Sequence, residues 1–78
     1  MNRLAQLDLN TEGFVFDPNS GESFTTNPTG LFILNALREH KSPETIAQEM
    51  SDEYAVTLDE AERDVSDFQT RLRTYQLL

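Results

Sequence analysis

The 78-residue chain contains no cysteine and no tryptophan, and it has only one histidine. Without cysteine there are no disulfides, thiolate metal sites or cysteine nucleophiles, and a lone histidine gives a triad or a metal site little to build on. Positive charge is also scarce, because 6 lysines and arginines stand against 14 aspartates and glutamates, a net charge of −8. Such an acidic surface repels phosphates, which counts against nucleic acid as a partner.

Long hydrophobic runs are missing as well. No stretch approaches the roughly 20 apolar residues that cross a bilayer, and the N-terminus lacks the apolar segment of a signal peptide. The hydrophobic fraction of 37% is nevertheless ordinary for a folded protein. We therefore expect residues 1–78 to form a single soluble domain in the cytoplasm, with no membrane partner.

The first third of the chain has the twofold hydrophobic periodicity of β-strands. The pattern predicts three short antiparallel strands, over residues 4–9, 13–17 and 23–26. Gly13 and the segment Asp17–Gly21 supply the turns between them. In the second strand, Phe14 and Phe16 share one face, and we expect that face to point into the core.

After residue 27 the periodicity changes to that of α-helices. Helices are predicted over residues 28–40, 43–53 and 58–75. Each follows a residue suited to cap a helix, namely Asn27, Ser42 and Thr57. The predicted fold is α+β and winged-helix-like, with a three-stranded antiparallel sheet followed by three helices. Its helical core members are expected to be Leu34, Leu37, Ile46, Val65, Phe68 and Leu72.

The sequence contains no arrangement of reactive side chains that is typical of an enzyme. His40 is expected in the last turn of the first helix, where it complements the helix dipole. The segment Asp17–Glu22 has its glycine one place too early for a calcium-binding loop. The acids between Asp59 and Asp67 are typical of a solvated helix face. The sequence therefore predicts no catalytic residues, no metal ligands and no cofactor.

Two other classes of protein stay open as alternatives. A winged-helix regulator, binding DNA or another protein, would use its third helix, but residues 59–67 carry one base and five acids, a charge of 1 − 5 = −4. An acyl-carrier-type protein is also small and acidic. Its modified serine stands at a helix start, whereas Ser66 lies inside the predicted third helix.

The third predicted strand has the features of a receiving edge. It comes last in the sheet, and residues 23–26 contain no lysine, glutamate or proline to discourage pairing. An open edge beside an apolar helix suits β-augmentation, in which a peptide adds as a further strand. Because residues 23–37 are uncharged, we expect backbone pairing and apolar contacts to carry affinity. The acidic third helix would favour a peptide that is neutral or basic at its flanks.

Three segments of the chain resemble the PqqD-like family, in order over residues 4–78. They are Asp17–Glu22, Asn27–Gly30 and Asp64–Phe68, the last followed by Leu72 and the pair Leu77–Leu78. The chain departs from the family at Thr26, Leu34 and Gln76, where leucine, an aromatic residue and glycine are usual.

This resemblance implies a recognition element for ribosomally synthesised, modified peptides. Such a protein is a non-catalytic chaperone that binds the leader segment of a precursor by strand addition and presents it to a modifying enzyme. The implied partners are the leader peptide and an enzyme of the radical SAM or ATP-grasp type. The implied peptide-binding residues lie on the third strand and one face of the third helix: Phe24, Thr25, Thr26, Asp64, Asp67, Phe68 and Arg71.

Overall fold

The computed structural model describes residues 3–77, so Leu78 of the terminal leucine pair lies outside the described residues. A 3-10 turn over Arg3–Gln6 comes first. Three strands and three helices follow: β1 (Asp8–Leu9), β2 (Phe14–Asp17), β3 (Glu22–Thr25), α1 (Pro28–Arg38), α2 (Pro43–Tyr54) and α3 (Leu58–Thr74). The predicted α+β architecture is confirmed. None of the described helices is long and apolar enough to cross a membrane.

The strands form one antiparallel sheet in the order β1-β2-β3. Phe14 lies opposite Thr25, and Val15 lies opposite Phe24. Strand β3 therefore pairs with β2 on one side only, and no strand among residues 3–77 covers its other side. Among the described residues this edge is open, as the sequence predicted, but the strand lies one residue earlier than the predicted 23–26, beginning at Glu22 and ending at Thr25.

The first strand is shorter than predicted. The 3-10 turn over Arg3–Gln6 replaces the beginning of the strand expected over residues 4–9, and only Asp8 and Leu9 pair with β2. Leu4 and Leu7 are both buried, and the turn packs against α1. A spacing of three residues suits a 3-10 turn, and this pair overrides the alternation of Ala5, Leu7 and Leu9 that predicted a strand.

The placement of Phe14 and Phe16 in the core was wrong. They do share one face of β2, but that face points to solvent, leaving the two residues 53% and 41% exposed. Val15 and Asp17 point the other way and are buried. Alternation shows which residues share a face of a strand, but it does not show which face meets the helices. The buried Asp17 carboxylate accepts hydrogen bonds that shape the following turn, from the Asn19 N–H and the Ser20 hydroxyl.

All three helices begin at their predicted caps. The side chains of Asn27, Ser42 and Thr57 each accept a hydrogen bond from the backbone N–H three residues further on. A free N–H at the start of each helix is thereby satisfied, and proline occupies the first helical position of α1 and α2. These local signals fix the start of each helix to the residue.

The helix ends differ from prediction because left-handed residues follow them. Helix α1 ends at Arg38, and His40 has a φ of 64°, so His40 lies beyond the helix rather than in its last turn. Ala55 and Gln76 likewise have φ values of 54° and 60° after α2 and α3. At the end of α3, the Leu77 N–H donates to the Leu72 carbonyl at 2.8 Å. Gln76 thus adopts the left-handed conformation typical of glycine at a helix end.

The core lies between the helices and the inner face of the sheet. The six helical core residues predicted from the sequence are buried: Leu34, Leu37, Ile46, Val65, Phe68 and Leu72. Helix α3 packs mainly on α2, while Phe24 of β3 packs against the edge of the core. This arrangement sets the second half of α3 alongside β3.

Candidate functional site

A cleft of about 240 Å³ opens where the end of β3 meets the first turn of α1 and the middle of α3. We call it the β3–α3 cleft. Its lining residues are Thr26, Asn27, Thr29, Gly30, Ile33, Asp64, Asp67, Phe68 and Arg71. Ile33 and Phe68 are buried and give it an apolar floor, whereas Asp64, Asp67 and Arg71 are exposed and form a charged rim.

The sequence Asn27–Gly30 builds the back wall of this cleft. The Asn27 carboxamide oxygen accepts from the Gly30 N–H at 2.8 Å and from the Thr29 hydroxyl at 3.0 Å, which turns the chain from β3 into α1. A side chain at Gly30 would collide with the Thr26 hydroxyl and would stand 3.1 Å from the Phe68 ring. Glycine therefore allows the first turn of α1 to approach both β3 and α3.

Arg71 connects α3 to β3. Its Nη2 donates a hydrogen bond to the Thr25 carbonyl oxygen at 3.1 Å. The guanidinium carbon also lies 5.3 Å from the centre of the Phe24 ring and 5.8 Å from that of Tyr75, within the range of cation–π attraction. These two rings stack on each other with their centres 4.9 Å apart. The last turns of α3 are thereby held beside the open edge of the sheet.

The Thr25 carbonyl belongs to that open edge. The Thr26 N–H donates to the Gly13 carbonyl at 2.8 Å, so Thr26 directs its backbone groups towards the chain leading into β2. Successive residues of an antiparallel strand direct their backbone groups to opposite sides. Ser23 and Thr25 therefore direct their N–H and C=O groups outward, to the side where no strand lies.

The structure brings all seven predicted site residues together. Five of them line the β3–α3 cleft: Thr26, Asp64, Asp67, Phe68 and Arg71. The other two, Phe24 and Thr25, contact Arg71. Phe68 is only 7% exposed, so it belongs to the core as well as to the cleft. A role for these residues in binding a peptide remains a prediction.

The rim acids carry unpaired negative charge. Neither Asp64 nor Asp67 forms an ion pair with another of the described residues, although Arg71 stands on the same face of α3. Within residues 3–77, no group of three or more histidine and acidic side chains is arranged to hold a metal ion. The cleft thus combines apolar contact, an open backbone edge and mixed charge.

The role of Tyr75 was not predicted from the sequence. Tyr75 continues the apolar spacing of Phe68 and Leu72 in the predicted third helix, but α3 ends at Thr74 and Tyr75 is 40% exposed. Tyr75 instead stacks on Phe24 and helps to line a smaller cleft of about 70 Å³ at the start of β3. An aromatic residue at the very end of an apolar stripe was the only available signal.

Comparison with known proteins settles the family. The family model for coenzyme PQQ synthesis protein D (PqqD) matches residues 12–78. The chain belongs to the PqqD family. All seven predicted site residues lie within the matched segment, and the resemblance noted in the sequence is confirmed. No curated protein matches this member of the PqqD family.

Two solved structures are similar to this PqqD-family chain. One is a lasso peptide synthetase B1 complexed with the leader peptide, 31% identical, with a TM-score of 0.77 over 88% of this chain and 82% of that one. The other is TbiB1 in complex with the TbiA(beta) leader peptide, 29% identical, with a TM-score of 0.81 over 92% and 85%. Both of these similar proteins hold a leader peptide.

Proposed function

We propose that this protein is a non-catalytic adaptor that binds the leader segment of a ribosomally synthesised precursor peptide and presents it to a modifying enzyme. Membership of the PqqD family supports this function, as does similarity to two proteins whose structures are complexes with leader peptides. On this proposal the adaptor works in the cytoplasm, where precursor peptides are made. Its enzyme partner is of the radical SAM or ATP-grasp type.

The single observation that carries the proposal is the open edge of β3 beside a cleft. Ser23 and Thr25 direct backbone donors and acceptors outward, and a peptide strand can pair with these groups. Within residues 3–77 the outer edge of β1 is also unpaired, but β1 has only two residues and a 3-10 turn precedes it. Strand β3 is therefore the edge strand better suited to pair with a peptide.

The cleft offers contacts to the side chains of an added strand. Alternate side chains of such a strand face the cleft, where Ile33 of α1 and Phe68 of α3 provide apolar surface. Asp64 and Asp67 repel acidic side chains at their end of the cleft and attract basic ones. Backbone pairing would then provide affinity for any extended peptide, and contacts in the cleft would discriminate between peptide sequences.

The negative charge of α3 disfavours DNA binding, which is the main alternative function. The first half of α3 carries a charge of −4 over residues 59–67, and a helix of that charge is repelled from a phosphate-lined groove. A protein partner does not meet this repulsion. The peptide-binding function is therefore favoured over DNA binding.

A titration followed by NMR tests the proposal. Synthetic leader segments from short reading frames encoded beside this gene would be added to the ¹⁵N-labelled protein, with a scrambled peptide as control. We expect saturable shifts of the Ser23 and Thr25 amides and of α3 between Asp64 and Arg71. Shifts centred on β1 or α2, or no shifts with any neighbouring precursor, would contradict the proposal.

A further inference from the structure

Arg71 is a cation that has no carboxylate partner among residues 3–77 of a strongly acidic protein. The chain has 14 acidic residues, yet none of them forms an ion pair with Arg71 in the part that the structure describes. Asp67 precedes it by one helical turn and still makes no such contact. A guanidinium has five N–H donors, and the Thr25 carbonyl accepts from only one of its nitrogens. Arg71 therefore retains donors for an anion that residues 3–77 do not supply.

The one hydrogen bond that Arg71 makes lies where a peptide must pair. An added strand needs the outward carbonyl of Thr25 as an acceptor for one of its own N–H groups. Arg71 Nη2 already donates to that oxygen in the free protein. Because a carbonyl oxygen has two lone pairs, the peptide N–H would either share the oxygen with the guanidinium or displace it. Its contacts with the rings of Phe24 and Tyr75 keep the guanidinium at the site if this hydrogen bond is given up.

We propose that Arg71 covers the Thr25 carbonyl only in the free protein, and that on peptide binding its guanidinium transfers to a carboxylate of the peptide. This inference rests on the proposed function and names the class of peptide: one with an aspartate or glutamate on the side of the strand that faces α3. Arginine suits this task because its planar fork matches a carboxylate with two parallel hydrogen bonds.

The rim acids restrict where that carboxylate lies. Asp67 and Asp64 precede Arg71 by four and seven residues. They therefore lie about 6 Å and 10 Å from Arg71 along the helix axis, towards the N-terminus of α3. All three side chains line the cleft, but of the three only Arg71 contacts Phe24 and Thr25. The acidic side chain of the peptide is therefore expected opposite Phe24 and Thr25, with neutral or basic residues towards the end of β3.

A selection from a display library of random 16-residue peptides tests this inference without knowledge of the natural precursor. The wild type would be compared with Arg71→Met, which keeps an unbranched apolar side chain. The control is Arg73→Met, which changes the net charge equally at a residue that lines neither of the two clefts. We expect the wild type and Arg73→Met to enrich an acidic residue at one fixed position. Arg71→Met should enrich peptides without that preference.

Affinity measurements on one enriched peptide and its amide counterpart, Glu→Gln or Asp→Asn, make the test quantitative. Loss of a charge-assisted hydrogen bond should weaken binding to the wild type by about tenfold or more. The same change should alter binding to Arg71→Met by less than about twofold, if no interaction is left to lose. Arg71→Lys, which keeps the charge without the fork, should show an intermediate loss.

The outcomes distinguish a failure of the role proposed for Arg71 from a failure of the proposed leader-peptide binding. Enriched peptides without an acidic preference, or an equal acid-to-amide loss in Arg71→Met, would overturn the role of Arg71 and leave leader binding intact. If the wild type enriches no peptide at all, the proposed function fails, and this inference fails with it. A second readout needs no peptide: Arg71→Met should shift the ¹³C resonance of the Thr25 carbonyl, and Arg73→Met should not. An unchanged resonance would also contradict the proposal.

Discussion

Replacing Phe68 with alanine tests whether the floor of the cleft is part of the core. Phe68 is 7% exposed, and the first turn of α1 closes over its ring at Gly30. Truncating a buried phenylalanine to alanine costs about 3–5 kcal/mol, from lost burial and from the cavity left behind. At roughly 0.05–0.15 kcal/mol per residue, this 78-residue chain has a stability of about 4–12 kcal/mol. The variant should therefore lose a large share of its stability.

Urea unfolding followed by far-UV circular dichroism measures this loss, and Phe14→Ala is the matched control. The same atoms are removed there, but Phe14 is 53% exposed, so we expect a cost below about 1 kcal/mol. In thermal unfolding, Phe68→Ala should lower Tm by about 12 °C or more. Equal unfolding midpoints for Phe68→Ala and the wild type, or equal losses in the two variants, would refute the reasoning.

Three further substitutions test the backbone, each by thermal unfolding. Gly13→Ala should lower the stability of the protein more than Gly21→Ala. Both glycines have positive φ, but only at Gly13 would a Cβ collide with the Thr26 carbonyl. Equal losses of stability in the two variants would contradict this reasoning. Ala55→Gly should stabilise by up to about 1 kcal/mol because Ala55 is left-handed, whereas Ala47→Gly inside α2 should destabilise. Ser42→Ala should cost about 1 kcal/mol by removing the cap of α2, and no change would argue against that cap.

The sequence predicted most reliably what neighbouring residues decide. Asn27, Ser42 and Thr57 mark the helix starts because a cap needs only its own side chain and the next three residues. The open edge of β3 followed from its place at the end of three short strands. The seven site residues followed from the predicted edge strand and from the binding mode that the family resemblance implies, and the fold brings them together at one edge of the sheet.

What the sequence did not predict depends on contacts between distant elements. The orientation of β2 is set by the helices that cover Val15, so Phe14 and Phe16 were assigned to the wrong side. The contact between Arg71 and Thr25 joins residues 46 apart in sequence, which no local pattern encodes. The left-handed conformations of His40 and Ala55 were also missed, because neither residue type signals a helix end as glycine does.

The central claim is that a peptide strand pairs with the outward backbone of Thr25, and one calorimetric comparison tests it most directly. Thr25→Pro removes the outward N–H and leaves intact the hydrogen bonds between β2 and β3, whereas Thr25→Val keeps the N–H and the shape. With the cognate leader peptide, we expect Thr25→Val to bind within about twofold of the wild type and folded Thr25→Pro to bind about tenfold or more weakly. Wild-type affinity in a folded Thr25→Pro protein would show that the peptide does not pair with β3.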